Sequence, residues 1–567
     1  MTAIERQAGK QAQRSLVRGA TSPPLLEDTI GVALDRAAQR WPQREALVVA
    51  HQNLRWTYAE FAARVDALAA GLLAIGLERG DRVGIWATNC AQWTLTQFAT
   101  AKAGLVLVNI NPSYRLSELR YTLEKVGVKA LIAAEAFRSS DYVGMVETLL
   151  PGLAASRAGD LRDDTLPALR MLIKIGGAAR PGWLDFETVA QHADAGQRRQ
   201  LAAHAATLDR NDPINIQFTS GTTGLPKGAT LSHRNILNNG YFIGASMRLR
   251  EGDRLCIPVP LYHCFGMVLG NLACITHGAT MVYPAPIFDP LATLQTVEAE
   301  ACTALHGVPT MFIAQLAHPQ FERFDLSSLR TGIMAGAPCP AEVMRRVLER
   351  MHMNEVTIAY GMTETSPVSF QSATDEPLDR RVATVGRVQP HLECKVVDRD
   401  GAIVPRGETG ELCTRGYSVM LGYWDDAEKT AEAIDADGWM HTGDLATIDD
   451  DGYCCIVGRI KDMVIRGGEN LYPREIEEFL YRHPKVQDVQ VVGVPDAKYG
   501  EELCAWVRVQ EGETLCEADM LAFCRGQISQ FKIPRYWRFV DAFPMTVTGK
   551  VQKFLIREAM LRELGEN

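Results

Sequence analysis

The chain has 567 residues, 47% of them apolar and 22% charged, the profile of a globular protein too long for one average domain. A formal charge of -9 and a pI near 5.8 exclude the broad basic surface that replaces phosphate counterions, so no nucleic-acid partner is expected. The 13 cysteines form no C-x-x-C pair and no zinc spacing with histidine, which fits a reduced, cytoplasmic setting.

No apolar run approaches the roughly 18 to 20 residues of a membrane span, so no transmembrane segment is expected. The opening 1–20, rich in Ala, Gln and Arg, reads as a frayed terminus rather than a targeting segment. Thr57-Tyr58-Ala59-Glu60 has the form of a capping box, and Phe61, Val65, Leu68, Leu72 and Leu73 follow at helical spacing. That helix should stop at Gly76 and Gly80, before a buried strand over 82–86, a further helix and the apolar run 105–108. Short strands at 129–133, 214–218, 254–259 and 280–283 alternate with helical stretches, a pattern of α/β layers with largely parallel sheets.

Near residue 460 the texture changes at Gly458-Arg459-Ile460-Lys461-Asp462, a polar, glycine-led break. The reading is therefore a large N-terminal domain over 1–458, built of several layered subdomains, and a small α+β C-terminal domain over 459–567. The small domain should hold a helix from Pro473, strands at 489–492 and 504–509, a helix over 517–529 and a strand at 536–539.

Phe218-Thr219-Ser220-Gly221-Thr222-Thr223-Gly224-Leu225-Pro226-Lys227-Gly228 follows a predicted strand and precedes a helix starting near Ser232. Glycines let backbone N–H groups approach an anion, hydroxyls donate further hydrogen bonds, and a lysine adds charge, so this loop suits polyphosphate. It is not a Walker A loop, because Pro226 stands where the second glycine belongs and Gly228 where Ser or Thr belongs. Further along come Tyr360-Gly361-Met362-Thr363-Glu364-Thr365, Thr442-Gly443-Asp444, Gly467-Gly468-Glu469-Asn470 and Thr548-Gly549-Lys550. Each alone is an ordinary turn.

In this order, and through nearly the whole chain, the segments resemble those of the adenylate-forming superfamily of acyl-CoA synthetases, adenylation domains and firefly-type luciferases. The resemblance implies an ATP-dependent acid–CoA ligase that makes an acyl-adenylate and then an acyl-CoA. It assigns Thr219, Ser220, Gly221, Thr222, Thr223, Gly224 and Lys227 to the phosphates, Thr363 to the α-phosphate, and Glu364 to Mg²⁺. Gly336, Ala337 and Pro338 fall to the adenine side, Tyr360 and Gly361 to the nucleotide, and Asp444 and Arg459 to the ribose. Lys550 is the lysine that stabilises charge in adenylation, Asp462 the hinge of a mobile C-terminal domain, and Gly467 and Gly468 the coenzyme A face.

Pro260-Leu261-Tyr262-His263-Cys264-Phe265-Gly266 resembles the segment at the acyl-pocket entrance, with His263 as gate residue. The apolar Met267-Val268-Leu269 that follows offers no acid to pair a substrate ammonium, so an apolar carboxylic acid is implied. Medium-chain fatty acyl-CoA synthetases are similar at Cys413-Thr414-Arg415-Gly416-Tyr417 and Val419-Met420-Leu421-Gly422-Tyr423-Trp424, but they often carry Thr and Asn where this chain has Met362 and Thr365. Aryl or branched acids, and free-standing loading of a carrier protein, stay open, as does a homodimer.

Overall fold

The structure is a computed structural model that describes residues 13–219, 225–467, 469–546 and 549–565. Two wide sheets organise the large N-terminal part. In the first, the strands Met171–Lys174, Val128–Ala133, Arg82–Trp86, Val106–Asn109 and Pro213–Thr219 run parallel side by side. Lys227–Ser232 and Gly422–Tyr423 then extend that sheet antiparallel.

The second sheet has Glu355–Gly361, Thr331–Ala335, Ala304–Gly307, Arg254–Cys256, Thr280–Tyr283 and Glu45–Val49 as its parallel centre, with antiparallel strands at both edges. Helices Ile30–Arg40, Tyr58–Ala74, Ala91–Ala103 and His233–Ser246 share one buried apolar core with residues of both sheets, among them Leu47, Val49, Val83, Ile85 and Leu107. Fully burying a side chain of this size stabilises by about 1.5 to 3 kcal/mol, so this shared core fixes the two sheets against each other.

Local signals set several boundaries. Thr57 and Glu60 make the reciprocal capping box at the start of Tyr58–Ala74, and Gly76, at φ +101°, turns the chain out of that helix. Ser232 caps His233–Ser246 by accepting the Asn235 N–H. The strand expected over 254–259 ends at Cys256, because Pro258 and Pro260 have no N–H for the ladder. The helix expected over 517–529 ends at Cys524, two residues before Gly526 at φ +72°.

The expectation of largely parallel sheets misses a third, wholly antiparallel sheet ordered Leu16–Arg18, Leu392–Val397, Gly410–Gly416, Met440–Ile448 and Cys454–Arg459. Its first strand also corrects the frayed-terminus reading from residue 13 onward: Ser15 and Val17 are buried against that sheet, while 1–12 lie outside the described residues. The smaller C-terminal part packs Pro473–Leu480 and Glu517–Cys524 on a sheet of Glu469–Leu471, Val464–Arg466, Gly500–Val509, Val486–Asp496 and Tyr536–Phe539. It has its own core around Leu480, Val489, Leu503 and Trp537.

Candidate active site

The carboxyl ends of the parallel strands in both wide sheets, and one end of the antiparallel sheet, supply the residues that the sequence singled out. Thr219 ends its strand and pairs with Lys227 across the hairpin, so the loop between them leaves from a closed ladder. Ser220, Gly221, Thr222, Thr223 and Gly224 lie outside the described residues.

Glu364 sits buried in the short turn Thr363–Thr365. Its Oε1 accepts the Thr219 hydroxyl at 3.3 Å and the Tyr423 phenol at 2.9 Å. Lys227 Nζ donates to the same phenol oxygen at 3.1 Å and lies 4.2 Å from the ring centroid. A carboxylate, a lysine and two hydroxyls from three separate segments therefore meet at one point. Tyr423 is the member that sequence reasoning missed; its only signal was its place in Leu421-Gly422-Tyr423-Trp424. Burial, with Glu364 beside it, pushes the Tyr423 phenol up.

A second cluster lies at the antiparallel sheet. Asp444 and Arg459 face each other in register on neighbouring strands, with Arg459 Nε 3.0 Å from Asp444 Oδ1. Tyr360, at the end of Glu355–Gly361, donates to Asp444 Oδ2 at 2.6 Å. Gly443 holds φ +71°, a left-handed conformation that glycine adopts without strain, and its N–H donates to Glu411 at 3.1 Å. Burial raises the Asp444 carboxyl above the ordinary aspartate range, although Arg459 and the Tyr360 hydroxyl pull the other way. Such a carboxyl, burdened by desolvation and held by two donors, is characteristic of a functional site.

Lys550 comes to this region from the C-terminal part. Gly549 holds φ +77°, and its carbonyl accepts the Thr310 hydroxyl of the large part at 3.3 Å. A Cβ on Gly336, itself at φ +90°, would stand 3.5 Å from Lys550 Cε and 3.2 Å from a Val308 methyl. Burial and the positive charge of Arg459 lower the Lys550 ammonium, against the opposite pull of Asp444 and Glu364.

His263 precedes a helical segment whose Phe265 N–H donates to its Nδ1 at 3.1 Å, so the neutral ring carries its proton on Nε2. Burial, then the nearby Lys550 charge, hold it at about 3. Next to it, Cys264 Sγ lies 4.0 Å from the Thr363 hydroxyl, and burial pushes the thiol up to about 12.

The remaining expected residues are distributed around these clusters. Gly361 packs so tightly that an added Cβ would collide with the Pro367 carbonyl, whereas Gly336, Ala337 and Pro338 form an exposed turn after Thr331–Ala335. Asp462 closes the turn Ile460–Asp462 directly after Arg459. Gly467, at φ +60°, donates its N–H to the Tyr499 carbonyl at 2.8 Å within the small part, and Gly468 and Thr548 lie outside the described residues. Among the described residues, Glu411, Cys413 and His441 also converge, with His441 Nδ1 2.9 Å from the Glu411 carboxylate.

Fold and site together define a two-part α/β protein with its polar residues gathered where the parts meet. The AMP-binding enzyme profile matches residues 34–424, and the profile of the AMP-binding enzyme C-terminal domain matches 475–550. The chain belongs to the AMP-binding enzyme family. It is 51% identical to YngI of Bacillus subtilis (strain 168), described as a putative acyl-CoA synthetase, over 94% of this chain and 97% of that one. It is 47% identical to the mitochondrial medium-chain acyl-CoA ligase ACSF2 of Danio rerio, over 97% and 91% respectively. Among solved structures, the anthranilate CoA ligase AuaEII with anthranoyl-AMP superposes with a TM-score of 0.84 at 26% identity, covering 96% of this chain and 99% of that one. ATP-bound MatB from Rhodopseudomonas palustris follows with a TM-score of 0.79 at 30% identity, covering 94% and 99%. No helix among the described residues is long and apolar enough to cross a membrane.

Proposed function

We propose that the protein is an ATP-dependent acid–CoA ligase acting on medium-chain fatty acids, and that its site works by bringing two anions together and then exchanging one small-domain face for another. The observation that carries this reading is the seating of Lys550, from the C-terminal part, against Gly336 and within electrostatic reach of His263, Glu364 and Asp444. Carboxylate and ATP repel, so their approach requires oriented donors and cations. Lys227 and the Thr219 hydroxyl serve the β- and γ-phosphates together with the loop 220–224. Thr363 serves the α-phosphate, and Asp444 with Arg459 and Tyr360 the ribose. Gly336, Ala337, Pro338 and Gly361 shape the adenine side.

A carboxylate oxygen attacks the α-phosphorus and pyrophosphate leaves. The Lys550 ammonium and the His263 Nε2–H stabilise the charge that develops, which is where fixed donors contribute most. The Glu364 carboxylate suits Mg²⁺, a hard cation that takes oxygen ligands: Oε1 already gathers two hydroxyls, and Oε2 makes no hydrogen bond among the described residues. When bound, the ion would neutralise phosphate charge.

In the second half-reaction the thiol of coenzyme A attacks the acyl carbon and AMP leaves. For this step the domain boundary is placed between residues 458 and 459, with Asp462 as hinge, so that rotation withdraws Lys550 and brings Gly467 and Gly468 forward. A cytoplasmic setting and a homodimer are compatible with this scheme, and size-exclusion chromatography with light scattering tests the latter.

Medium chain length follows the ACSF2 relatives and the apolar segment after His263. The likeness to an anthranilate CoA ligase favours aryl acids as the second reading. The deciding experiment is pyrophosphate release with ATP and Mg²⁺ across acids from acetate to palmitate plus benzoate, with and without coenzyme A, alongside mass detection of the thioester. A maximum between six and twelve carbons with coenzyme A thioester is expected. A maximum on benzoate would establish the aryl reading, and pyrophosphate without thioester would point to carrier loading.

A further inference from the structure

Phe265–Leu272 is wound as a π-helix, with Ala273 N–H bonded to the carbonyl five residues back, at Val268. Such helices are rare and concentrate at functional sites. This one is gripped from two sides by side chains that belong to no motif.

From the helix Ala91–Ala103, the Gln97 amide donates to the Met267 carbonyl at 3.1 Å and accepts from Asn271 Nδ2 at 2.8 Å, stapling successive turns of the π-helix. Asn271 accepts in turn from the Tyr283 hydroxyl at 2.7 Å, and that hydroxyl lies 2.7 Å from Thr94 Oγ1. From the strand Ala304–Gly307, His306 Nδ1 accepts the Ile333 N–H at 3.2 Å, which leaves the proton on Nε2 to be donated to the Leu269 carbonyl at 2.9 Å. The His306 ring also packs on Phe265, with centroids 5.3 Å apart. Gln97 is 3% exposed, and Asn271, Tyr283 and His306 are 0% exposed.

Polar groups this deep cost free energy unless every bond is made, and apolar side chains could fill the same space. What the bonds add is a single allowed placement of the π-helix. That placement matters because His263 accepts the first N–H of the same helix, at Phe265, and lies within electrostatic reach of Lys550, so on the ligase reading the helix starts beside the reacting carboxyl.

We propose that Gln97 and His306 are positioning residues that set the accepted acyl length by fixing the π-helix and, through it, Phe265. The inference rests on the acid–CoA ligase reading. Its test is kcat/KM for saturated acids of four to sixteen carbons in the wild type, Gln97→Leu, His306→Phe and His306→Gln, with KM for ATP and circular dichroism measured alongside. One methylene discriminates by about fourfold. Gln97→Leu and His306→Phe are therefore expected to change the dodecanoate-to-octanoate ratio by about fourfold or more while KM for ATP stays within about twofold. His306→Gln keeps a donor for Leu269 and should hold the wild-type ratio.

The two disruptive variants act from two separate elements, the helix Ala91–Ala103 and the strand Ala304–Gly307, so either one, if folded, decides the matter. An active wild type with unchanged ratios in the folded variants would overturn the inference alone, as would equal loss for every acid. A wild type that turns over none of these acids would defeat the fatty-acid ligase reading beneath it.

Discussion

The two sides of the reacting centre are built by opposite means. On the proposed nucleotide side, the charged groups lie on strands and in turns, each next to a glycine: Lys227 beside Gly228, Asp444 after Gly443, Arg459 after Gly458, Lys550 after Gly549. On the other side, the π-helix Phe265–Leu272 is held by the Gln97 amide and the His306 imidazole, both buried and both from distant elements. Charge must be presented to a ligand, so it is carried beside turns that a ligand can approach, even where, as at Glu364 and Asp444, the side chain itself is buried. Shape must be held, so the groups that fix it are locked inside where they cannot relax. The first arrangement should fail by losing rate or nucleotide affinity, the second by losing discrimination.

The sharpest test of that division is Lys550→Ala. Removing a charge that acts mainly in the transition state should slow adenylation by about 10² to 10³-fold. Thioester formation from supplied acyl-adenylate should change little, and equal loss in both half-reactions would break the assignment. Asp444→Asn comes next: loss of a charge-assisted bond worth about 1.5 to 3 kcal/mol should raise KM for ATP by roughly ten- to a hundredfold, with kcat for the acid nearly intact.

The buried side should answer to pH instead. Burial depresses His306 to about 4 in the folded chain, whereas an unfolded histidine titrates near ~6.5. Between those values the unfolded chain binds a proton that the folded chain refuses, so stability is full above the upper value and falls as pH drops toward the lower. This one group contributes a slope on the order of 1.4 kcal/mol per pH unit. The apparent Tm of the wild type should therefore fall more between pH 6.5 and 5.5 than that of His306→Gln, and equal losses would show that the ring is not neutral in the fold. The smallest effect is expected from Tyr423→Phe, which removes one bond to Glu364 and one from Lys227. Adenylation should slow by roughly two- to tenfold. An unchanged rate would place Tyr423 outside the nucleotide side altogether.

The same contrast explains what could be read before the structure. The capping box at Thr57, the strand Arg82–Trp86 and the strand Thr280–Tyr283 follow from short-range rules and fall where expected. Glu364, Asp444, Arg459 and Lys550 were legible because each stands in a short, glycine-marked segment. Gln97, Asn271 and His306 belong to no such motif: although Asn271 follows Gly270 and His306 precedes Gly307, each lies within an apolar run, and its partner is set by sheet order rather than by spacing. A π-helix likewise leaves no periodicity that separates it from an α-helix over eight residues. The antiparallel sheet escaped for a related reason, since its first two strands, Leu16–Arg18 and Leu392–Val397, are separated by most of the chain.

That separation has a consequence for synthesis. Leu16–Arg18 leaves the ribosome early, but its hydrogen-bonding partner emerges roughly 20 to 75 s later at a translation rate of about 5 to 20 residues per second. Throughout that interval the nascent chain carries an unpaired strand, and the sheet that bears Asp444 and Arg459 cannot close until its last strand, Cys454–Arg459, has been made. The order of manufacture thus makes this sheet the last of the large part to be completed, and chaperone engagement should concentrate on chains stalled before it.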